Sequence, residues 1–229
     1  MKTPGDLITA PDYALAFRTL EPLPAAPRRL LLLLHGVGGQ ELQLASLGAR
    51  VDDDTLVVLP RAPRSIGEGM YAWFRVGFSA DGPQIVPEEA EDSRLTLIEF
   101  VGQLQQRHAI APSHTVVAGF SQGGILSASV ALSAPQVVAA FGLLCGRILP
   151  ELEPALASRD QLATLDGLIL HGRVDNKLPV AWAERADVWL QRLGVPHRLQ
   201  LHDAGHEFTA SMQADFLDWF GAGQRRWNR

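Results

Sequence analysis

The chain contains 229 residues, of which 47% are hydrophobic and 20% are charged, a balance that predicts a globular protein with one large core and excludes disordered and fibrous classes. Lys and Arg number 20 against 25 Asp and Glu, giving a net charge of −5. The basic residues are scattered, so neither nucleic acid nor anionic lipid is an expected partner.

Short apolar runs alternate with longer segments of helical period, which predicts a mostly parallel sheet covered on both faces by helices. In chain order the predicted strands cover residues 29–35, 55–59, 114–119, 139–144, 167–171 and 196–202. The predicted helices cover residues 88–106, 122–133, 179–193 and 208–220. Most of the strand runs are continuously apolar, as expected of strands buried on both faces.

No linker of Ser, Gly or Pro divides the chain, so we predict a single domain over residues 1–229, with its core over about 14–220 and a frayed basic tail over 221–229. The longest aliphatic run, residues 30–34, is far shorter than the roughly 20 residues that span a bilayer. Residues 1–13 lack the apolar segment of a secretory signal, and the lone Cys145 cannot form an internal disulfide. A cytoplasmic location without a membrane span is therefore expected.

Residues 60–87 fit neither the helical nor the strand period. They are punctuated by Gly and Pro and rich in aromatic residues, which favours an ordered functional loop. We expect Trp73, Phe74 and Arg75 on this loop to contact substrate, although aromatic burial in the core is an equally good interpretation. For Arg75, the favoured role is an ion pair with a loop carboxylate such as Glu68 or Asp81, and the alternative is an anionic group on the substrate.

The sequence Gly119-Phe120-Ser121-Gln122-Gly123 is a G-x-S-x-G motif between a predicted buried strand and a predicted helix. This is the position that a nucleophile elbow requires, because a sharp turn there exposes the serine hydroxyl and the glycines avoid clashes. The alternative is an ordinary helix start with Ser121 as the N-cap. The placement favours Ser121 as a nucleophile.

A nucleophilic serine needs a histidine base, and the base needs a carboxylate. His206 follows the last predicted strand, and Asp175 follows the strand before it, which gives the chain order Ser, Asp, His that is typical of this architecture. Asp203 is the rival acid, but it lies only three residues before the histidine. His202 and His206 resemble an H-x-x-x-H metal motif, but the segment is not predicted to be helical, so no metal site is expected.

The oxyanion of an acyl-transfer intermediate needs backbone N–H donors. Gln122, which follows the nucleophile, supplies one, and the glycine-rich turn at residues 35–39 can aim the N–H of Val37 at the same point. As a phosphate loop the turn is weak, because it lacks the Lys-Ser/Thr of a P-loop and the glycine spacing of a dinucleotide motif.

The segments LLLLHGVGG, PRAP, AWF, GFSQGG, LILHGRVD and DAGH resemble, in order and spacing, the phospholipase/carboxylesterase branch of the α/β-hydrolases, which includes carboxylesterases and acyl-protein thioesterases. The resemblance covers about residues 30–220. It implies a three-layer α/β-hydrolase fold without a large cap domain and a cofactor-free serine mechanism on short to medium acyl esters or thioesters. By motif, Ser121, Asp175 and His206 fall on the triad, and Val37 and Gln122 fall on the oxyanion hole.

We therefore predict a carboxylesterase-type serine hydrolase whose partner is a small-molecule ester or thioester. Hydrolysis of thioesters or of amides and peptides by the same triad remains open, as does a homodimer. An inactive scaffold that only binds a partner is a further alternative, although such scaffolds often lose a triad residue and none is missing here. Arg75 departs from many relatives, which have an acidic residue at this position.

Overall fold

The computed structural model describes residues 2–79 and 82–227 of the chain. In chain order its strands are β1 Thr3–Pro4, β2 Phe17–Glu21, β3 Arg29–Leu34, β4 Thr55–Pro60, β5 Arg64–Gly67, β6 Met70–Ala72, β7 Val76–Ser79, β8 Gly82–Ile85, β9 Thr115–Phe120, β10 Ala140–Leu144, β11 Asp166–Gly172 and β12 His197–His202. Its α-helices are α1 Ala45–Gly48, α2 Pro87–His108, α3 Gln122–Ser133, α4 Arg159–Leu162, α5 Ala181–Leu193 and α6 Ala210–Trp227. Short 3-10 helices cover Glu41–Leu44, Pro112–His114 and Pro150–Ala155.

Eight strands form one sheet in the order β1-β2-β4-β3-β9-β10-β11-β12. β1 pairs antiparallel with β2 and β2 pairs antiparallel with β4, whereas the other neighbours are parallel. Every residue of β3, β4 and β10 is buried, as expected of apolar strands in a sheet covered on both faces. The carboxyl ends of the parallel strands meet at one edge of the sheet, where α/β proteins gather their functional groups.

Helices cover both faces of the sheet because side chains alternate in direction along each strand. On one face, Leu32 of β3 lies in the same core cluster as Phe100 of α2 and the apolar residues of α3 and α5. On the other face, Leu33 lies with Phe216 and Trp219 of α6. The predicted three-layer architecture with a mostly parallel sheet is confirmed, and between α3 and β11 the chain adds only β10, a 3-10 helix and α4 rather than a cap domain.

The structure departs from the sequence prediction at three places. The sheet includes β1 and β2, which were missed because β1 has two residues and β2 is not continuously apolar. Where an ordered loop is predicted over residues 60–87, the described residues include two antiparallel hairpins, β5–β6 and β7–β8. α6 continues to Trp227, so residues 221–227 are helical and the frayed tail predicted there is wrong. That segment lacks proline and includes Ala, Gln and Arg, which favour helix. Residues 228–229 lie outside the described residues.

A buried ion-pair cluster fixes the chain that follows the glycine-rich turn. The Glu41 carboxylate is fully buried and accepts hydrogen bonds from Arg61 Nη2 at 2.7 Å and Arg18 Nε at 2.9 Å. Burial alone would raise the pKa of Glu41, but the hydrogen bonds from Arg61 and Arg18 outweigh it and lower the pKa to about 2. The carboxylate therefore connects β2 and the end of β4 to the segment after β3.

Candidate active site

Ser121 lies on a sharp turn between β9 and α3. Its backbone has φ of 53° and ψ of −116°, and positive φ is uncommon for a residue with a side chain. The turn is fixed on both sides, since Ser121 N–H donates to Leu144 O at 2.8 Å and Ser121 O accepts from Ile125 N–H at 3.0 Å. Strained backbone held in this way is typical of functional sites, because the surrounding bonds must stabilise it.

The close packing of this turn requires a glycine at position 123. A Cβ atom added to Gly123 would lie closer than 3.0 Å to the backbone oxygens of Leu34 and His35. Real Cβ atoms essentially never approach backbone so closely, and backbone atoms cannot rotate away as a side chain can. The glycine therefore lets the first turn of α3 approach the end of β3, which brings Ser121 beside the glycine-rich turn.

The structure brings Ser121, His206 and Asp175 together at the carboxyl edge of the sheet. His206 Nε2 lies 2.9 Å from Ser121 Oγ, and His206 Nδ1 lies 2.7 Å from Asp175 Oδ2. A carboxylate only accepts hydrogen bonds, so Nδ1 carries the proton and Nε2 is free to accept one from the serine hydroxyl. This is the hydrogen-bond arrangement in which an imidazole can act as a general base.

The Asp175 side chain is fully buried and held by four neighbouring groups. Its Oδ1 accepts hydrogen bonds from the backbone N–H groups of Lys177 and Leu178, each at 2.8 Å. Its Oδ2 faces His206 and also lies 3.4 Å from His171 Nε2, which donates to Leu178 O at 2.7 Å. Burial lowers the pKa of His171, so this second imidazole stays neutral beneath the carboxylate. His171 was not recognised from the sequence as part of the site.

The turn after β3 is fixed by a neutral histidine. Burial lowers the pKa of His35, whose Nδ1 donates to Gly36 O at 2.7 Å while Nε2 accepts from Ala62 N–H at 3.0 Å. The His35 carbonyl in turn accepts from Trp73 Nε1 at 2.9 Å. These bonds hold the turn against the two hairpins.

Val37 and Gln122 face the same cavity as Ser121. The amides next to Val37 are occupied, because Gly36 N–H donates to Gln43 Oε1 at 2.7 Å and Gly38 N–H donates to Tyr71 O at 2.9 Å. The Gln122 N–H lies in the first turn of α3, where backbone donors have no acceptor within the helix. Val37 and Gln122 thus line the cavity beside Ser121, where the sequence predicts the oxyanion donors.

The Gln122 side chain has a structural role that the motif did not reveal. Its Oε1 accepts from Trp73 N–H at 2.7 Å, and its Nε2 donates to Phe74 O at 2.7 Å. The amide therefore pairs with the hairpin segment as a neighbouring strand would. This pairing fixes Phe74 at the wall of the cavity.

The cavity beside Ser121 has a volume of about 300 Å³. Its walls are mostly apolar and come from the two sides of the site, with Phe74, Val76 and Ile85 on the hairpin side and Ile125 and Leu178 on the sheet side. Ser121, His206 and the oxyanion candidates belong to the lining, and so do the cations Arg147 and Lys177. This chemistry suits an apolar group joined to a polar reacting centre.

The three residues predicted to contact substrate lie in three different environments in the structure. Phe74 lines the cavity, but Trp73 is fully buried and does not, because its ring packs against His35 in the core. Arg75 is exposed and pairs with Glu89 of α2 at 2.6 Å, so it belongs neither to the cavity nor to the predicted pair with Glu68. Asp81, the other predicted partner, lies outside the described residues. Of the three residues, only Phe74 is thus in the lining of the cavity.

The rival residues make contacts elsewhere. His202 Nε2 lies 3.1 Å from Asp215 Oδ2, and the exposed Asp203 lies 3.4 Å from Arg173 Nε. His202 and His206 thus have different partners, and residues 2–79 and 82–227 contain no cluster of three His, Cys, Asp or Glu side chains able to hold a metal ion. Cys145 is buried behind the site, and burial raises the pKa of its thiol to about 12.

The sequence and fold were compared with those of known proteins. The family model described as Phospholipase/Carboxylesterase matches residues 21–219. The chain belongs to the phospholipase/carboxylesterase family. Members that it resembles include MhqD of Bacillus subtilis, 24% identical over 203 residues that cover 83% of this chain and 92% of the relative. Acyl-protein thioesterase 1 of Kluyveromyces lactis is 25% identical over 177 residues, which cover 72% of this chain and 77% of the relative.

Among solved structures, the chain resembles esterase PE8 with a TM-score of 0.79 and 26% identity, covering 89% of this chain and 96% of that one. The fold is thus the α/β-hydrolase fold, and the protein is a hydrolase of the carboxylesterase type, as the sequence predicted. No helix within the described ranges is long and apolar enough to span a membrane.

Proposed function

We propose that the protein hydrolyses carboxylic esters of short to medium acyl chains, with Ser121 as nucleophile, His206 as general base and Asp175 as the acid that orients it. The observation that carries this proposal is the continuous hydrogen-bond chain from Ser121 Oγ through His206 to Asp175, with distances of 2.9 Å and 2.7 Å, beside a mostly apolar cavity.

In the acylation step, His206 Nε2 removes the hydroxyl proton while Ser121 Oγ attacks the ester carbonyl carbon. The carbonyl oxygen becomes an oxyanion and accepts hydrogen bonds from the backbone N–H groups of Val37 and Gln122. The imidazolium formed on His206 is stabilised by the Asp175 carboxylate. It then donates its proton to the leaving alkoxide, which departs as the alcohol and leaves an acyl group on Ser121.

In the deacylation step, His206 removes a proton from water, which attacks the acyl carbonyl through the same oxyanion site. The tetrahedral intermediate collapses, and His206 returns the proton to Ser121 Oγ as the carboxylic acid is released. These steps require no metal or cofactor, so added chelators should leave the activity unchanged.

The size and walls of the cavity support the proposed acyl chain length. A volume of about 300 Å³ is at the lower end of the range of roughly 300–1,000 Å³ for small-molecule sites. Phe74, Val76 and Ile85 offer apolar surface beside Ser121, which favours an acyl group over a polar one. Short to medium chains should therefore be preferred over long ones.

Thioester hydrolysis is the second candidate, because one relative is named an acyl-protein thioesterase. The same serine attack and the same oxyanion donors serve a thioester or an amide, so the geometry alone does not distinguish these substrates. A cytoplasmic location and a homodimer stay predictions from the sequence.

The test is a series of para-nitrophenyl esters and matched acyl thioesters of increasing chain length, assayed with the wild-type protein and Ser121→Ala. We expect ester hydrolysis that peaks at short to medium chains and is lost in the variant. Preference for thioesters at every length would favour the second candidate. Failure to hydrolyse either series would support a binding scaffold and contradict the proposed enzyme.

A further inference from the structure

Arg147 follows β10 and lines the cavity that contains Ser121, although only 7% of its surface is exposed. The chain reaches this position by a turn in which Cys145 has a positive φ of 49°. The turn runs directly behind the nucleophile, since a Cβ added to Gly146 would lie 3.1 Å from Ser121 O and 3.3 Å from Ile125 N. The guanidinium is therefore a buried cation in the wall of the same site.

The guanidinium stacks on an aromatic ring, while one of its nitrogen atoms lacks an acceptor among the described residues. Its Cζ lies 4.7 Å from the centre of the Trp182 ring, and Arg185 Cζ lies 4.9 Å from the centre of the same ring. Within the part of the chain that the structure describes, Arg147 Nε is buried and has no hydrogen-bond partner. Stacking uses the face of the guanidinium, so its N–H groups, which lie in the plane, remain able to bind an acceptor.

A buried guanidinium without an acceptor is costly, because desolvation of a charge is repaid only by a partner. Burial lowers the pKa of Arg147, and the nearby Glu151 partly offsets this. The group nevertheless stays protonated, because arginine is not deprotonated in proteins. The free protein thus holds a positive charge in an apolar wall, as a site for an anion would.

The charge of the cavity favours the same interpretation. Lys177, an exposed residue, adds a second cation to the lining, and none of the described lining residues is Asp or Glu. Asp175, the acid that pairs with His206, is buried and already bonded to His206 and two backbone N–H groups. An anionic group on a bound ester would therefore meet positive charge without facing a carboxylate of the lining.

We propose that Arg147 is a specificity-determining residue that binds a carboxylate or similar anionic group on the ester, so that the preferred substrates join an apolar chain to an anion. This inference rests on the proposed ester hydrolysis and specifies its substrate class. Because Nε itself is buried, an anion in the cavity would accept from the two Nη groups, a two-point geometry that Arg offers and Lys does not.

The test compares esters matched in chain length. The neutral reference is para-nitrophenyl hexanoate, and the mono-para-nitrophenyl ester of adipic acid has a carboxylate at the far end of an acyl chain of the same length. A hexanoate ester of a carboxylated nitrophenol places the anion on the leaving group instead. The variants are Arg147→Met, which removes the charge at similar size, and Arg147→Lys, which keeps the charge but lacks the planar guanidinium with its neighbouring N–H donors.

Arg185→Met is the matched control, because Arg185 stacks on the same Trp182 ring but does not line the cavity. Lys177→Met tests the second cation. We expect the wild-type protein to prefer one of the acidic esters, and Arg147→Met to lower kcat/KM for that ester by about 10- to 100-fold, as for loss of a charge-assisted bidentate bond. Its kcat/KM for the neutral ester should change less than about threefold. For the preferred acidic ester, the kcat/KM of Arg147→Lys should lie between those of the wild-type protein and Arg147→Met. The kcat/KM of Arg185→Met should match that of the wild-type protein.

Equal losses on acidic and neutral esters would overturn the proposal by making Arg147 structural, and a selective loss in Lys177→Met alone would assign the anion to Lys177. Should Arg147→Met fail to fold, inhibition of wild-type hexanoate hydrolysis by adipate gives a second measurement, which Arg147→Lys should weaken by about tenfold. Absence of both acidic-ester preference and adipate inhibition would contradict the proposal. Neutral-ester hydrolysis that depends on Ser121 would still support the proposed function.

Discussion

Replacement of Asp175 by Asn should inactivate the protein without unfolding it. The reason lies in the two backbone N–H groups of Lys177 and Leu178, which both donate to Asp175 Oδ1. An Asn side chain keeps these bonds only if its oxygen occupies the Oδ1 position. Its NH₂ group then donates a hydrogen bond to His206 Nδ1, so Nδ1 must be unprotonated and the imidazole proton lies on Nε2. In that tautomer the imidazole cannot remove the proton from Ser121.

The size of the effect follows from the same geometry. The opposite orientation of the Asn amide would set NH₂ against two N–H donors and cost about 1–3 kcal/mol for each unsatisfied group, so the inactive tautomer is the favoured state. We expect kcat to fall by about 10⁴-fold, or ~5.4 kcal/mol of transition-state stabilisation, as for other triads with the wrong tautomer. The free energy of unfolding should change by only about 1–2 kcal/mol, because the backbone bonds remain.

The assay is hydrolysis of para-nitrophenyl hexanoate under saturating conditions, together with urea denaturation followed by circular dichroism. Asp203→Asn is the matched control, since Asp203 is exposed and lies on the loop of His206 without contacting it. Its kcat should equal that of the wild-type protein. A kcat within tenfold of wild type for Asp175→Asn, or a large loss for Asp203→Asn, would refute this account of the base.

Three further predictions concern residues that surround the site. Gly123→Ala should lower the free energy of unfolding by about 3 kcal/mol or more because the added Cβ clashes with backbone. Gly102→Ala, where a Cβ meets open space in α2, should raise it by about 0.5–1 kcal/mol. Urea denaturation of both variants checks this contrast. Glu41→Gln should lower the free energy of unfolding by about 3 kcal/mol at pH 7. The pKa of Glu41 is lowered from 4.5 to about 2, so its carboxylate contributes stability that is present above pH 4.5 and lost as the pH falls toward 2. Equal unfolding free energies of wild type and variant at pH 7 would contradict this prediction. Cys145 should react with iodoacetamide at pH 8 only after unfolding, because burial raises its pKa to about 12; rapid alkylation of the native protein would refute the burial.

The sequence predicted the parts of the fold and site that depend on strand order. Continuous apolar runs identify the parallel strands, and residues directly after such strands meet at one edge of the sheet. Ser121, Asp175 and His206 each follow a different predicted strand, so their proximity was predictable although 54 residues separate the first pair and 31 the second. The structure has His206 within hydrogen-bond distance of both Ser121 and Asp175.

The sequence could not predict which side chains of the hairpins face the cavity. Trp73, Phe74 and Arg75 are consecutive, yet one is in the core, one lines the cavity and one pairs with Glu89 at the surface. Their directions depend on the turns at 60–87, where no apolar period is present. A glycine-rich and aromatic segment indicates order but gives no register.

Residues that act through long-range contacts were also missed. His171 looks like the end of a strand, and its position under Asp175 depends on the turn that follows. Arg147 is a single basic residue after β10, and its burial beside Ser121 depends on packing of the turn behind α3. The available signal was the position of both residues at the carboxyl edge of the sheet, where a charged or titratable side chain is a candidate for function.

The central claim is that Ser121 is a nucleophile activated by His206. Its most direct test is intact-mass and peptide analysis after treatment with a fluorophosphonate, which reacts with activated serines. The account predicts a single adduct, located on Ser121, with none on Ser121→Ala and much slower labelling of His206→Ala. An adduct on Ser121→Ala, or a labelled wild-type residue other than Ser121, would contradict it.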